Sequence, residues 1–193
     1  VRLPVEHAGN LRNLDNPKSD IQFMTASFGQ GITVTPLQLA LAYGAIANGG
    51  ILMKPQIVDQ IIDTNGNARD VAPEEVRRVL SQDTAEKVGA MLRSVVVNGH
   101  GKRADVPGYL VGGKTGTAQV AKTGGLKGYD ENVTVGSFVG YAPINDPRFV
   151  IVVKFDNPKD VQWAESSAAP TFGMIMRFLL SYATVPTTES IRK

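Results

Sequence analysis

The stretch Tyr109-Leu-Val-Gly-Gly-Lys-Thr-Gly-Thr-Ala-Gln-Val120 restricts the fold more than any other part of the chain. Its Tyr, Val and Thr residues suit a pleated, half-buried surface, so it reads as a strand over 109–120. Its centre holds two glycines, a lysine and Thr-Gly-Thr. Glycine inside a strand marks a place where something comes close to the backbone. Strict alternation sets Lys114 and Gly116 on one face, Thr115 and Thr117 on the other. All four reach a single ligand only from the rim of a sheet, so an edge strand is expected. There it would present a positive charge, hydroxyls and open backbone N–H groups, the equipment for holding a carboxylate or a developing oxyanion.

The remaining elements follow from local signals. Residues 1–20 carry turn formers without a sustained period and read as irregular. The apolar run from Ile21 to Val34, with glycines at 29 and 31, predicts a short strand or turn at the lip of a site. Thr35 is a natural N-cap, Pro36 fits the first helical position, and Gly49-Gly50 stop the helix. Apolar residues wrap most of that helix, which predicts burial on all sides. Ile51 to Ile62 holds Pro55 and reads as an edge strand, followed by a hairpin turn at Asp63-Thr-Asn-Gly-Asn and a return to Leu80. Asp83-Thr-Ala-Glu86 has capping-box spacing and opens a helix with the stripe Ala85, Val88, Leu92, Val95, ending near Asn98-Gly99. After a Gly- and charge-rich connection over 122–132 come a strand at 133–141 and an unbroken apolar strand at 149–155, expected to be covered on both faces. Gly136 and Gly140 share a face where a helix can pack closely, and a last helix spans Pro170 to Tyr182. Three successive strands on short connections, with helices segregated against them, predict an antiparallel sheet and an α+β fold.

Composition narrows function mainly by exclusion. A net charge of +2 with no basic block argues against nucleic acid as a partner. With no cysteine there is neither a disulfide nor a thiolate metal site, and His7 and His100 are too few and too far apart to suggest a metal centre. No cofactor is expected. No apolar run reaches membrane-spanning length, and the chain begins at Val1 without a methionine, so it is expected to be a piece of a longer protein.

Two motifs compete for the central stretch. Gly108 to Thr115 satisfies the P-loop pattern G-x-x-x-x-G-K-[ST]. A P-loop follows a buried strand and opens a helix whose N-terminus holds phosphate. Here the preceding Gly101 to Pro107 is no buried strand, and the residues after Thr115 are poor helix formers, so a nucleotide-hydrolysing reading requires a helix after Lys114. The plainest alternative is a Gly-rich strand with a solvated lysine. The other motif is Lys114-Thr115-Gly116, and it has company: Phe28-Gly-Gln-Gly31, Thr33-Val-Thr-Pro-Leu-Gln-Leu39, Asn48-Gly-Gly50, Lys114-Thr-Gly-Thr-Ala-Gln119 and Ser137-Phe-Val-Gly-Tyr-Ala-Pro143. Together these resemble, over nearly the whole chain, the C-terminal part of the transpeptidase domain in class B penicillin-binding proteins of the division and elongation type.

That resemblance implies a serine acyltransferase that cross-links peptidoglycan. A serine attacks the penultimate D-Ala carbonyl, the last D-Ala leaves, and the acyl group passes to an amine on a second stem peptide. β-Lactams would acylate the same serine. Lys114 would supply charge to the hydroxyl network, and Thr115 and Thr117 hydroxyls to the substrate carboxylate. The Thr117 N–H would be an oxyanion donor, Gly116 would leave the ribbon bare, and Gln119 would touch substrate beyond it. The resemblance further implies an extracytoplasmic enzyme held by an N-terminal membrane helix, working with divisome or elongasome membrane proteins. The family pattern also requires an earlier Ser-x-x-Lys and a Ser-x-Asn. No Ser-x-Asn occurs, and the sole Ser-x-x-Lys, Ser190 to Lys193, lies in the C-terminal tail. The nucleophile is therefore expected upstream, in the missing N-terminal half of the same domain, and this chain alone is expected to be inactive. A non-catalytic β-lactam sensor of the same fold is the alternative.

Several other residues read as structural. Trp163 is expected to pack half-buried rather than line the site, Phe28 to Gly31 to form a turn, and Asp156, Asp160 and Glu165 to be surface charges.

Overall fold

A computed structural model describes residues 7–15, 20–122, 124, 128–159, 161 and 163–188. The helices are α1 (Arg12–Asp15), α2 (Ile21–Ala26), α3 (Pro36–Ala47), α4 (Gln82–Asn98) and α5 (Ala168–Tyr182). The strands are β1 (Ile51–Met53), β2 (Gln60–Ile62), β3 (Ala68–Asp70), β4 (Glu75–Arg78), β5 (Gly112–Ala121), β6 (Tyr129–Ala142) and β7 (Phe149–Asp156).

The organising unit is the antiparallel sheet β5-β6-β7. Lys114 pairs with Val139 and Thr117 with Gly136, and a bulge follows Gln119, where Val120 jumps to Asp130. On the far side of β6, Phe138 lies opposite Val153. Helix α5 packs on one face of the sheet, and α3 and α4 pack on the other. The α5 face carries the core. Phe138 and Phe172 are fully buried with ring centroids 4.7 Å apart, and Met176, Leu180, Val111 and Val106 close around them. Gly136 and Gly140 open this face as expected: a Cβ on Gly140 would lie 3.1 Å from the Phe172 ring, and one on Gly136 would lie 3.2 Å from the Ser167 hydroxyl. The α+β architecture and the expected meander are both present.

Boundaries and burial differ from expectation at several elements. The run after Ile21 is helix α2, not a strand. Its residues do not alternate, Thr25 bonds back to the Gln22 carbonyl at 3.1 Å, and Gly29 and Gly31 at φ +85° and +73° end it. Helix α3 begins as expected: the Thr35 hydroxyl accepts from Gln38 N, and the Gln38 side chain accepts from Thr35 N. It is not buried on all sides, however. Only Ala45 is fully buried and Leu37 is 46% exposed, because one flank rests on β6, β7 and α4. Helix α4 is capped by Ser81 rather than Asp83, since Ser81 takes the extended cap conformation and its hydroxyl accepts from Thr84 N. Asp83 then sits in the first turn, where a negative charge suits the helix dipole, and pairs with Lys87 at 2.8 Å. The buried stripe is Ala85, Gly89, Leu92 and Val96.

Strand β7 is half-buried rather than covered on both faces. Val153 alone is buried, while Lys154 to Asp156 are exposed. The segment between α3 and α4 forms two short ribbons, β1 with β4 and β2 with β3, the latter closed by the expected turn at Asp63 to Asn67. Ser190 and Lys193 lie outside the described residues.

Candidate active site

Strand β5 is an edge strand: among the described residues it pairs with β6 alone. No helix follows Lys114, which lies within the strand, so the requirement of the P-loop reading is not met. Lys114 is exposed, and its Nζ donates to the Thr115 carbonyl at 2.8 Å and to the Thr115 hydroxyl at 3.3 Å. The ammonium is thus folded along the rim, beside the Thr115 hydroxyl. The Thr117 hydroxyl accepts from the backbone N–H of Ala164 at 3.3 Å, which ties β5 to the loop leading into α5.

The glycines of β5 are explained by the protein's own side chains. A Cβ on Gly112 would stand 2.3 Å from Ile144, and one on Gly113 would stand 2.5 Å from the Phe138 ring. A Cβ on Gly116 would meet only the Ser137 hydroxyl, at 2.7 Å. The close approach inferred from the sequence is real, and it comes mainly from the neighbouring strand β6 and from Ile144 just beyond it.

Lys114, Thr115, Gly116 and Thr117 line one cleft of about 450 Å³, together with Phe28, His100, Trp163 and Glu165. Gln119 is not in it. It faces a neighbouring cleft of about 580 Å³, between β5 and the Phe28 to Pro36 segment. The two clefts share Phe28, Gly116 and Thr117, and the second spreads from β5 across the sheet, where Val135 and Ser137 of β6 and Val152 and Lys154 of β7 also line it. Phe28 to Gly31 therefore line the site as well as forming a turn.

One expectation about a single residue is overturned and another is extended. Trp163 is 58% exposed and walls the Lys114 cleft, because the loop bound to Thr117 holds it outside the core. Glu165 is at the surface as expected, its side chain 42% exposed, but it is paired: its Oε2 lies 2.6 Å from Nδ1 of His100, and both side chains line the cleft. The sequence gives no signal for this pair, since the partners stand 65 residues apart. Asp156 pairs with Lys154, and Asp160 lies outside the described residues. Among the described residues no group of three or more His, Cys, Asp or Glu is arranged to hold a metal, and no helix is long and apolar enough to cross a membrane.

The chemistry available is electrostatic and directional. A cation, threonine hydroxyls and an exposed strand edge offer a carboxylate-bearing, extended ligand both charge pairing and main-chain hydrogen bonds. Comparison with known proteins gives the same direction. The family described as the Penicillin binding protein transpeptidase domain matches residues 1–177. Stage V sporulation protein D of Bacillus subtilis is 43% identical over 160 residues, 81% of this chain and 24% of that protein. A Peptidoglycan D,D-transpeptidase FtsI homolog of Mesostigma viride is 33% identical over 95% of this chain and 33% of its own length. The crystal structure of penicillin-binding protein 3 from Mycobacterium tuberculosis superposes with a TM-score of 0.85 at 36% identity, covering 95% of this chain and 43% of that one. The same protein complexed with aztreonam gives 0.84. The chain thus spans about a quarter to a third of the length of these curated relatives.

Proposed function

Because the chain belongs to the transpeptidase-domain family of penicillin-binding proteins, we propose that it is the C-terminal part of one such domain. The whole protein would be a serine-type peptidoglycan D,D-transpeptidase whose nucleophile lies N-terminal to residue 1. The observation that carries the reading is the position of Lys114-Thr-Gly-Thr117 on the rim of β5, lining an open cleft. A donor peptide ending in D-Ala-D-Ala lies along that rim as an added strand. Its terminal carboxylate meets the Thr115 and Thr117 hydroxyls, with Lys114 supplying the countercharge. The Thr117 N–H receives the oxyanion formed when the upstream serine attacks. One such donor is worth about 2.7–4 kcal/mol in the barrier. Gln119, farther along β5, contacts the part of the donor that extends into the second cleft. Once D-Ala has left, the acyl-serine is attacked by an amine of a second stem peptide.

A β-lactam occupies the donor position and stops at the acyl-serine, in keeping with the aztreonam complex of the tuberculosis relative. In this reading the whole protein works on the outer face of the cell membrane, held by an N-terminal helix, alongside divisome or elongasome proteins. The chain by itself, lacking the nucleophile, does not turn over substrate. The test is covalent labelling of the full-length protein by fluorescent penicillin, followed by peptide mapping. The drug is expected on a serine upstream of residue 1. Absence of labelling, or labelling of a residue within this chain, would refute the assignment.

A further inference from the structure

His100 and Glu165 stand outside the donor-binding roles just described, yet they share the Lys114 cleft. His100 follows α4, Glu165 precedes α5, and Nδ1 and Oε2 meet at 2.6 Å. A carboxylate accepts a hydrogen bond, so in the neutral ring it holds the proton on Nδ1 and leaves the lone pair on Nε2. The His100 side chain is 83% exposed, so that second nitrogen is open to a ligand. Lys114 faces the same cleft, and Lys102 and Arg103 face an adjoining one of about 430 Å³ that His100 and Glu165 also line. Glu165 is the sole carboxylate among the residues lining these two clefts. A base oriented by an acid, beside the strand that holds the acyl group, is the arrangement by which enzymes activate a nucleophile.

Acylation already has its nucleophile in the upstream serine. The second half of the reaction has none until a proton is removed, because an amine arriving as ammonium has no lone pair. We propose that His100, oriented by Glu165, is the general base that deprotonates the acceptor amine, an inference that rests on the transpeptidase reading. The ammonium proton passes to Nε2 of His100. The amine nitrogen then attacks the acyl-serine carbonyl carbon. A C–N bond forms, the C–O bond to the serine breaks, and a proton from the attacking nitrogen ends on the serine oxygen. The imidazolium, paired with Glu165, returns its proton to solvent.

The experiment compares two rates in the full-length protein: acylation by penicillin, and transfer from a D-alanyl thioester donor to a D-amino acid. His100→Gln is expected to lower the ratio of transfer to acylation by at least about tenfold, a modest share of what a general base contributes. Glu165→Gln is expected to give a smaller loss. Raising the pH toward the amine's own titration range should shrink both deficits, since the amine then arrives uncharged. Lys102→Ala, in the adjoining cleft, should keep the wild-type ratio. A wild-type ratio in His100→Gln overturns the proposal. So do transfer and acylation falling together, the mark of a merely structural clasp, and a deficit that persists at high pH. If penicillin does not acylate the wild-type protein at all, the transpeptidase reading falls and the base falls with it.

Discussion

Replacing Gly113 with alanine tests how the core positions the active-site ribbon. Gly113 does not have the positive φ that would exclude alanine. Alanine would restrict the unfolded chain, which alone stabilises by about 0.4–1 kcal/mol. Sterics oppose this. The new methyl would sit 2.5 and 2.7 Å from two atoms of the Phe138 ring and 2.7 Å from the Val139 carbonyl oxygen. Phe138 has no room to retreat, since it is fully buried with Phe172 4.7 Å away across the core. Overpacking of this kind costs about 1–3 kcal/mol, occasionally more, so the steric term wins. A net loss of about 1–2 kcal/mol lowers the melting temperature by about 2–8 °C in a domain of this size. Because β5 must shift outward to make room, penicillin acylation should fall as well. Adding Phe138→Leu should recover part of the stability, since a smaller side chain admits the methyl. Gly116→Ala meets only the Ser137 hydroxyl, which can rotate, and should cost less. Calorimetry on the full-length variants decides the matter. A Gly113→Ala protein as stable as wild type, or a double variant less stable than the sum of its parts, would refute the reasoning.

Other sites give sharper but smaller effects. Thr35→Ala removes the hydroxyl that accepts from Gln38 N and should destabilise by about 1 kcal/mol, read as a fall in melting temperature. Trp163→Ala should leave stability within about 0.5 kcal/mol of wild type, given 58% exposure. The same variant should slow acylation by β-lactams with aromatic side chains about 2–10-fold relative to those without, as befits a lost ring contact. Hydrogen bonds from Asn67, and more weakly from Asn65 and Gly66, hold the exposed Asp63 carboxyl below its ordinary range. A depressed folded-state value means that the stabilisation is present above the unfolded-state value and is lost as pH falls through the folded one. Protection of the Asn65 and Asn67 amides, measured against the unstructured exchange rate at each pH, should therefore fall below the ordinary aspartate range, and Asp63→Asn should abolish that dependence.

Features encoded within a few residues could be read from the sequence. The Thr35-Pro36 start of α3, the Asp63 to Asn67 turn and the strand character of 112–120 depend on neighbours close in the chain and stand in the structure as expected, whereas Tyr109 to Val111, also read as strand, precede it. The edge position of β5 was also accessible, because alternation leaves no other way for Lys114 and Thr115 to serve one ligand. What failed was decided by distant partners. The sequence shows that Gly112 and Gly113 are needed, but not that Ile144 and Phe138 are what crowd them. Apolar composition made α3 look fully buried, yet burial depends on which flank the sheet and α4 cover. Ser81 and Asp83 are both competent caps, and the extended backbone at Ser81 selects it. His100 and Glu165 are each unremarkable alone, and only the fold brings them together.

The central claim is that the rim of β5 grips the carboxylate end of the donor or of a β-lactam, with Lys114 as its charge. The most direct measurement is the second-order rate of penicillin acylation for the full-length protein, compared between Lys114→Ala and Lys122→Ala. Both lysines are exposed, but only Lys114 lines the cleft. The account predicts a loss of about 100-fold for Lys114→Ala, the scale of one lost transition-state contact, and a rate within about twofold of wild type for Lys122→Ala, as expected of a solvated surface charge. Equal rates in the two variants would contradict it.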